Sequence, residues 1–355
     1  MVFLVEQKKQ VIICGKFKKE RLKPKLSSRQ TLSLSFKYMM QNNTKKLPIL
    51  EEFEFQEKKL LTLPIIEKYQ YFNKKKAINM TDCGQRLQFG LYENIQTLEH
   101  QKHLEEMYTC KDRFCAFCNW RKARKLGIQS YEVLKAIESE NKVRYIFATL
   151  TLRNCHINDL SDTIKLMNTS FQRMMQTKRF KNSILGFIRA LEYPPQKDNN
   201  EYIHPHFHCL FVVSTNYFKT TNNLYIKQKE FIQMWQKALR VDYSPSVDIR
   251  IIKAKGEADP IAKVVAETVK YPLKIVDLKD MSVDMFEELV HQMKAKRALA
   301  FGGIVKEYRK KLILDDVENG DLIYDNIGNE KIWKRIKTLL YKFESGDYGL
   351  QYYLK

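Results

Sequence analysis

From Arg144 onward the chain alternates between two hydrophobic periods. Arg144–Leu152 (RYIFATLTL) is rich in branched and aromatic residues and predicts a strand. Between Asn158 and Phe180, the residues Leu160, Ile164, Met167, Phe171 and Met174 recur at helical spacing, and Asn158 or Ser161 can cap that helix. Ser183–Tyr193 (SILGFIRALEY) predicts a second strand, Pro194–Tyr202 a polar turn, and residues 203–213 (IHPHFHCLFVV) a third strand. Lys227–Val241 sets Phe231, Met234, Ala238 and Leu239 on one side of a helix, and Ser246–Lys253 (SVDIRIIK) predicts a fourth strand. The order β-α-β-β-α-β predicts an α+β fold with a split, ferredoxin-like or RRM-like antiparallel sheet. Helices would back one face and leave the other open, the face on which such sheets meet single-stranded nucleic acid.

Beyond this unit, Asp259-Pro260 offers an N-cap residue followed by proline at the first helical position. Ala258, Ile261, Ala262, Val265 and Val269 then fall on one side, with Lys263, Glu267, Lys270, Tyr271 and Lys274 opposite. Pro272 has no N–H to give Thr268, so the helix is expected to end or bend at Tyr271. Upstream the pattern is weaker. Residues 1–80 are rich in lysine, asparagine and glutamine, with scattered apolar pieces such as Val11–Cys14 and Leu60–Ile66, and read as a basic, partly disordered arm. Residues 81–140 form a Cys-rich region with a basic helix, 141–280 the core, and 281–355 a mainly helical extension.

Composition changes the picture in one respect. The 355 residues carry 62 lysines and arginines against 41 acidic residues, a net charge of +21 that favours a polyanionic partner. No stretch approaches the roughly 18 apolar residues of a spanning helix, and the opening MVFLVEQKKQ is too short an apolar run for a secretory signal. Nucleic acid is therefore expected rather than a membrane, in the cytoplasm. Seven cysteines, an odd number, argue against a disulfide framework.

Chemistry gathers at three places. On the third strand His204, His206 and His208 share one face, with Phe207, Cys209 and Phe211 on the other. Glu192 lies just before the hairpin turn, so antiparallel pairing brings a carboxylate to these imidazoles. Mixed oxygen and nitrogen donors with open positions suit Mn²⁺ or Mg²⁺. Cys110, Cys115 and Cys118 (CKDRFCAFC), with Cys83 before them, have the spacing of a structural Zn²⁺ site. Arg121, Lys122, Arg124 and Lys125 follow beside Trp120 and could cover a DNA backbone, or form a solvated helix face. Glu267 and Tyr271, four apart, are neighbours on the later helix. A phenol is a poor nucleophile at neutral pH, and Lys270 or Lys274 beside it would favour phenolate.

In this order the segments resemble the rolling-circle replication initiators of small bacterial plasmids, within the HUH endonuclease superfamily. FATLTLRN (Phe147–Asn154) resembles the first family motif, HPHFHCLF (His204–Phe211) the second, and ETVKYPLK (Glu267–Lys274) the third. CKDRFCAFCNWRKARK resembles the preceding cysteine-rich region and KRALAFGGIVKE a segment after the core, so that the similarity runs from about Cys83 to Gly320. The resemblance implies that His206 and His208 hold a divalent metal with Glu192 as third ligand, and that His204 is a further ligand or orients a neighbour. It implies that Tyr271 attacks a phosphodiester at the origin, leaving a 5′-phosphotyrosine and a 3′-OH primer, and that Glu267 activates water to end the cycle. The implied partners are single-stranded origin DNA, a host helicase and a DNA polymerase in the bacterial cytoplasm; a homodimer is compatible with this. Two other readings stand beside it: an HUH-type transposase or mobilisation relaxase, and a non-catalytic zinc-containing DNA-binding regulator. Relaxases tend to carry their tyrosine near the N-terminus, whereas Tyr271 follows His208 by 63 residues, and intact candidate residues argue against the regulator.

Overall fold

The computed structural model describes residues 53–355 apart from 197–198, 220–222, 253–260, 262–264, 266–274, 324–331 and 348. Helices α1 (Phe53–Phe72) and α2 (Lys74–Asp82) lead into strands β1 (Arg86–Asn94) and β2 (His100–Met107), and α3 (Ala116–Glu140) then delivers the chain to β3 (Val143–Thr151). Next come α4 (Leu160–Met175), α5 (Lys178–Ser183), β4 (Gly186–Glu192), β5 (His206–Ser214), α6 (Gln228–Leu239) and β6 (Val247–Ile251). The C-terminal part adds α7 (Val283–Gln292), β7 (Leu299–Gly303), α8 (Ile304–Lys311), β8 (Trp333–Gly346) and β9 (Gly349–Leu354). The fold is thus mixed α and β with antiparallel sheets. No helix among the described residues is long and apolar enough to cross a membrane.

The central sheet has the order β7-β4-β5-β3-β6, every neighbour antiparallel, so β3 and β4 run parallel with β5 between them. On β5, Phe207, Cys209 and Phe211 are fully buried in the main core. Phe207 meets Phe171 of α4 at 5.8 Å and Trp235 of α6 at 6.4 Å between ring centroids, which fixes both helices on this face. Trp235 Nε1 also donates to Thr151 O at 2.7 Å, satisfying the indole as it is buried. Truncating Phe207 would cost about 3–5 kcal/mol.

The opposite face departs from the expectation of an open surface. Leu210 and Val212, in phase with His206 and His208, are buried in a second apolar cluster with Val133, Leu134 and Ile137 of α3 and Val305 and Tyr308 of α8. The cause is legible in the chain: α3 carries an apolar stripe at positions 133, 134 and 137, and it needs a surface to bury it against. The histidine end of β5 lies outside this cluster.

Edge strand β7 comes from the AFGG stretch and pairs Gly303 with Gly186. Gly303 has φ +54°, and a Cβ there would stand 2.1 Å from Leu185 O, so both conformation and close approach demand glycine.

Two further expectations are corrected. Residues 53–80, read as part of a basic arm, form α1 and most of α2, while the arm before Phe53 lies outside the described residues. The buried stripe of α1 is Phe55, Lys59, Thr62, Ile65, Ile66 and Tyr69, in which a lysine and a threonine disguise the apolar period. Phe55 packs edge-on against Trp120 at 4.9 Å and Tyr69 against Phe286 at 5.2 Å, tying α1 to α3 and α7. The mainly helical extension also ends differently: β8 and β9 join β1 and β2 in a sheet of order β9-β8-β1-β2. Leu339, Tyr341 and Phe343 alternate inward along β8, with Leu340 and Lys342 between them.

Candidate metal centres and nucleic-acid contacts

The hairpin register sets Glu192 directly opposite His206, and the pairing of β5 with β3 sets Thr149 opposite His208. Glu192 Oε2 lies 3.2 Å from His206 Nε2 and 3.1 Å from His208 Nε2, and the two Nε2 atoms are 3.1 Å apart. Donors about 2.1 Å from a six-coordinate ion stand about 3.0 Å from one another on one face of the octahedron. The trio therefore fits a divalent ion with three positions left for water and substrate oxygens. The imidazoles are braced from behind. His206 Nδ1–H donates to His204 O at 3.0 Å, which leaves Nε2 as the lone-pair atom. His208 Nδ1 lies 3.2 Å from Thr149 Oγ1, and its ring stacks on Phe147 at 5.4 Å. Burial pushes the Glu192 carboxyl up, but hydrogen bonds and charge from His206 and His208 outweigh it and hold it at about 2.

His204 stands outside this set. Its Nδ1 is 2.6 Å from Asn154 Oδ1, and its backbone N–H donates to Pro194 O at 2.9 Å. Burial, then the neighbouring His206, push its pKa down. Its backbone carbonyl, not its ring, meets His206 Nδ1. On the helix side of the sheet, Arg189 lies over the rings of Phe207 (4.1 Å) and Phe171 (4.7 Å) and donates to Asn168 Oδ1 at 2.7 Å, supporting the strand from below. Thr149, Asn154 and Arg189 were not singled out from the sequence. Thr149 could have been, since pairing FATLTL against HFHCLF places Thr149 and His208 on one face.

Tyr271, Glu267, Lys270 and Lys274 lie outside the described residues. Ile261 and Val265, earlier in the same segment, are helical and buried with Tyr145, Ile188, Leu210 and Val212, on the face of the sheet that also bears the histidines.

The four cysteines come together from three elements. Cys83 caps the end of α2, Cys110 follows β2, and Cys115 and Cys118 open α3. Their sulfurs are 3.3 Å (Cys83–Cys118), 3.7 Å (Cys110–Cys118) and 3.7 Å (Cys83–Cys115) apart. A tetrahedron of sulfurs 2.3 Å from its centre has edges of about 3.8 Å, so the cluster fits one tetrahedral ion. The positive end of α3 adds support for a thiolate at Cys115. Lys59 reaches this site from α1, 2% exposed, and donates to Thr81 O and Cys83 O, both at 2.6 Å. Burial pushes its pKa down and the charges of Cys83, Cys115 and Cys110 oppose that.

The proposed DNA face of α3 is partly corrected. Arg121 is 2% exposed and donates through Nε to Leu322 O at 2.8 Å. Lys125 is 1% exposed and binds Asp315 Oδ2 and Asp321 O, both at 2.6 Å. These two cations fasten residues 315–322 onto α3 and cannot reach a phosphate. Lys122, half-buried, donates to Lys111 O at 2.8 Å, and Arg124 is exposed.

With this geometry in hand, comparison with known proteins gives one consistent answer. Residues 101–349 match the family described as "Replication protein". The chain is 33% identical over 285 residues to a "Protein rep" of Streptococcus pneumoniae serotype 2 (strain D39 / NCTC 7466), covering 79% of this chain and 87% of the relative. It is 32% identical over 311 residues to a "Protein rep" of Lentilactobacillus hilgardii, covering 85% of this chain and 95% of the relative. A "Replication protein" of Staphylococcus aureus is 38% identical over 207 residues, covering 56% of this chain and 87% of the relative. No solved structure matches the chain. The chain belongs to the replication protein family, the plasmid replication initiators, whose partner is DNA.

Proposed function

We propose that this protein is a rolling-circle initiator that nicks one strand at the origin through a covalent tyrosyl–DNA intermediate. One observation carries the reading: Glu192, His206 and His208 converge at one end of a sheet face whose other end is covered in part by Ile261 and Val265, which precede Tyr271 in the sequence. The strand order, with β3 and β4 parallel about β5, is read here as the ferredoxin-like core of HUH endonucleases. Six residues separate Val265 from Tyr271, a span of about 9 Å if helical and at most about 21 Å if extended. A tether of that length is compatible with attack at the trio.

In this mechanism Glu192, His206 and His208 would hold Mn²⁺ or Mg²⁺, and the bound ion would supply charge neutralisation and orientation at the scissile phosphate. Tyr271 Oη attacks phosphorus, the bond to the 3′ oxygen breaks, and that oxygen takes a proton to become the 3′-OH primer. Lys270 and Lys274 favour the phenolate. A 5′-phosphotyrosine remains, so rejoining by strand transfer stays open. Glu267, one helical turn before Tyr271, takes a proton from the water that hydrolyses the ester at termination. A host helicase and polymerase act on the freed end. The four cysteines would hold a structural Zn²⁺, their chemistry being that of a closed site.

Tyr271→Phe is the deciding variant. With Mn²⁺ and a single-stranded origin fragment, the parent chain should form a protein–DNA adduct mapping to the peptide around Tyr271. The variant should form none; a surviving adduct assigns the attack elsewhere.

A further inference from the structure

A cleft of about 820 Å³ lies between the cysteine module and the segment joining α7 to β7. One wall is the loop at 111–114 with the start of α3, and the other is Met293–Leu299. Seven lysines and arginines line it against three carboxylates, and one of the three, Asp112, is taken by Lys76 at 2.8 Å. The cationic excess lies with Lys111, Arg113, Lys122, Lys294, Lys296 and Arg297. Lys294 and Arg297 are exposed. Arg113 Nη2 donates to Lys296 O, while Arg113 Nη1 is buried with no hydrogen-bond partner among the described residues. The lining as a whole is cationic, which favours an anion in the cleft.

The cleft is linked through the backbone to the strand that carries Glu192. Tyr193, which lines it, is the residue after Glu192, and Leu191 N–H donates to Ala298 O at 2.8 Å. The strand bearing the candidate metal ligand is therefore hydrogen-bonded to the cleft wall. A cleft of this size has room for a short stretch of single strand.

We infer that this cleft holds the single-stranded DNA flanking the scissile phosphate, its phosphates paired with cations from both walls. The cysteine module then has a second task beyond folding, since it supplies one wall of the strand's path. The inference rests on the nicking function proposed above.

The test uses the full-length chain and fluorescein-labelled 20-nucleotide oligothymidine, with a 20-base-pair duplex alongside, read by anisotropy from low to high salt. The variant is Lys294→Glu/Arg297→Glu. Lys334→Glu/Lys337→Glu, at exposed positions of β8 on the other sheet, serves as the control for overall charge. Each lost phosphate contact to a single strand removes about 0.7 from the slope of log affinity on log salt. Two contacts make about a 25-fold loss at 0.1 M salt relative to 1 M. The cleft variant should show that loss and the lower slope on oligothymidine, with duplex binding and the control variant changed far less. An equal loss in the control, or on the duplex, or no loss in the cleft variant, overturns the inference. Adduct formation by the parent chain reports separately. A chain that binds oligothymidine through the cleft but never forms the adduct supports the cleft and removes the nicking function. An adduct-forming chain with normal binding in the cleft variant overturns the cleft alone.

Discussion

Thr149→Val tests whether the histidine pair is pre-set for a metal by its surroundings. Thr149 faces His208 across the β3–β5 pairing, with Oγ1 3.2 Å from Nδ1. For His208 Nε2 to offer its lone pair to an ion, Nδ1 must carry the proton and donate it to that hydroxyl. Valine keeps the branched shape that suits a strand while removing the acceptor. One such hydrogen bond is worth about 1–1.5 kcal/mol, which is about a five- to tenfold loss of metal affinity. Outer partners of ligating histidines commonly contribute about 10–100-fold, so about tenfold is expected. His206 would still hold the ion, because its Nδ1 is fixed by the His204 carbonyl, which no side-chain change removes. Mn²⁺ titration followed by electron paramagnetic resonance measures the affinity directly. The half-saturating Mn²⁺ for adduct formation should rise by the same factor, with the plateau unchanged. If Thr149→Val leaves Mn²⁺ affinity intact while His206→Ala lowers it, the threonine does not position its histidine. If neither variant changes it, the ion is not held by this trio.

Glu267→Ala should nick at the parental rate yet accumulate covalent product, because the hydrolytic step loses its base; normal release in a turnover assay would assign that proton transfer to another group. Cys115→Ser/Cys118→Ser should lose about one zinc per chain by elemental analysis and melt at lower temperature; an unchanged metal content would leave the cluster as four buried thiols. Lys59→Met separates the same two states by sign. Four thiolates on Zn²⁺ leave a net charge of −2 that a buried cation offsets, so the variant should bind zinc about 10-fold or more weakly in competition with a chromophoric chelator. Around neutral thiols the same change removes an uncompensated buried charge, and unaltered zinc affinity with a higher melting point would refute the compensating role.

The core elements were legible because their periods were clean. Leu160, Ile164, Met167, Phe171 and Met174 are buried on one stripe of α4, and Phe207, Cys209 and Phe211 point away from His206 and His208 as a strand requires. The trio was legible for a related reason: a tight antiparallel hairpin leaves little choice about what faces His206. The cysteine set was read from spacing alone, including Cys83, whose distance along the chain is bridged by the β1–β2 pair. What stayed hidden depends on long-range partners. Nothing local tells that β8 pairs with β1 across more than two hundred residues, or that a second layer covers Leu210 and Val212. Lys59 and Thr62 sit on the buried face of α1 for reasons supplied by the backbone carbonyls they meet.

The basic residues make the general point about charge. A net charge of +21 argues for a polyanionic partner, but the sum does not locate it. In the run Arg121–Lys125 the period of the helix divides the cations. Arg121 and Lys125, four apart, share the inward side and meet the Leu322 carbonyl and Asp315, while Arg124 is exposed. A cation taken by such partners is lost to DNA, whereas an exposed one remains available to it. Lys294, Lys296 and Arg297 stand in an unremarkable stretch of sequence, yet the β7–β4 pairing brings them within a few residues of Glu192. The electrostatic contribution to nicking should therefore follow these positions rather than the density of lysine along the chain.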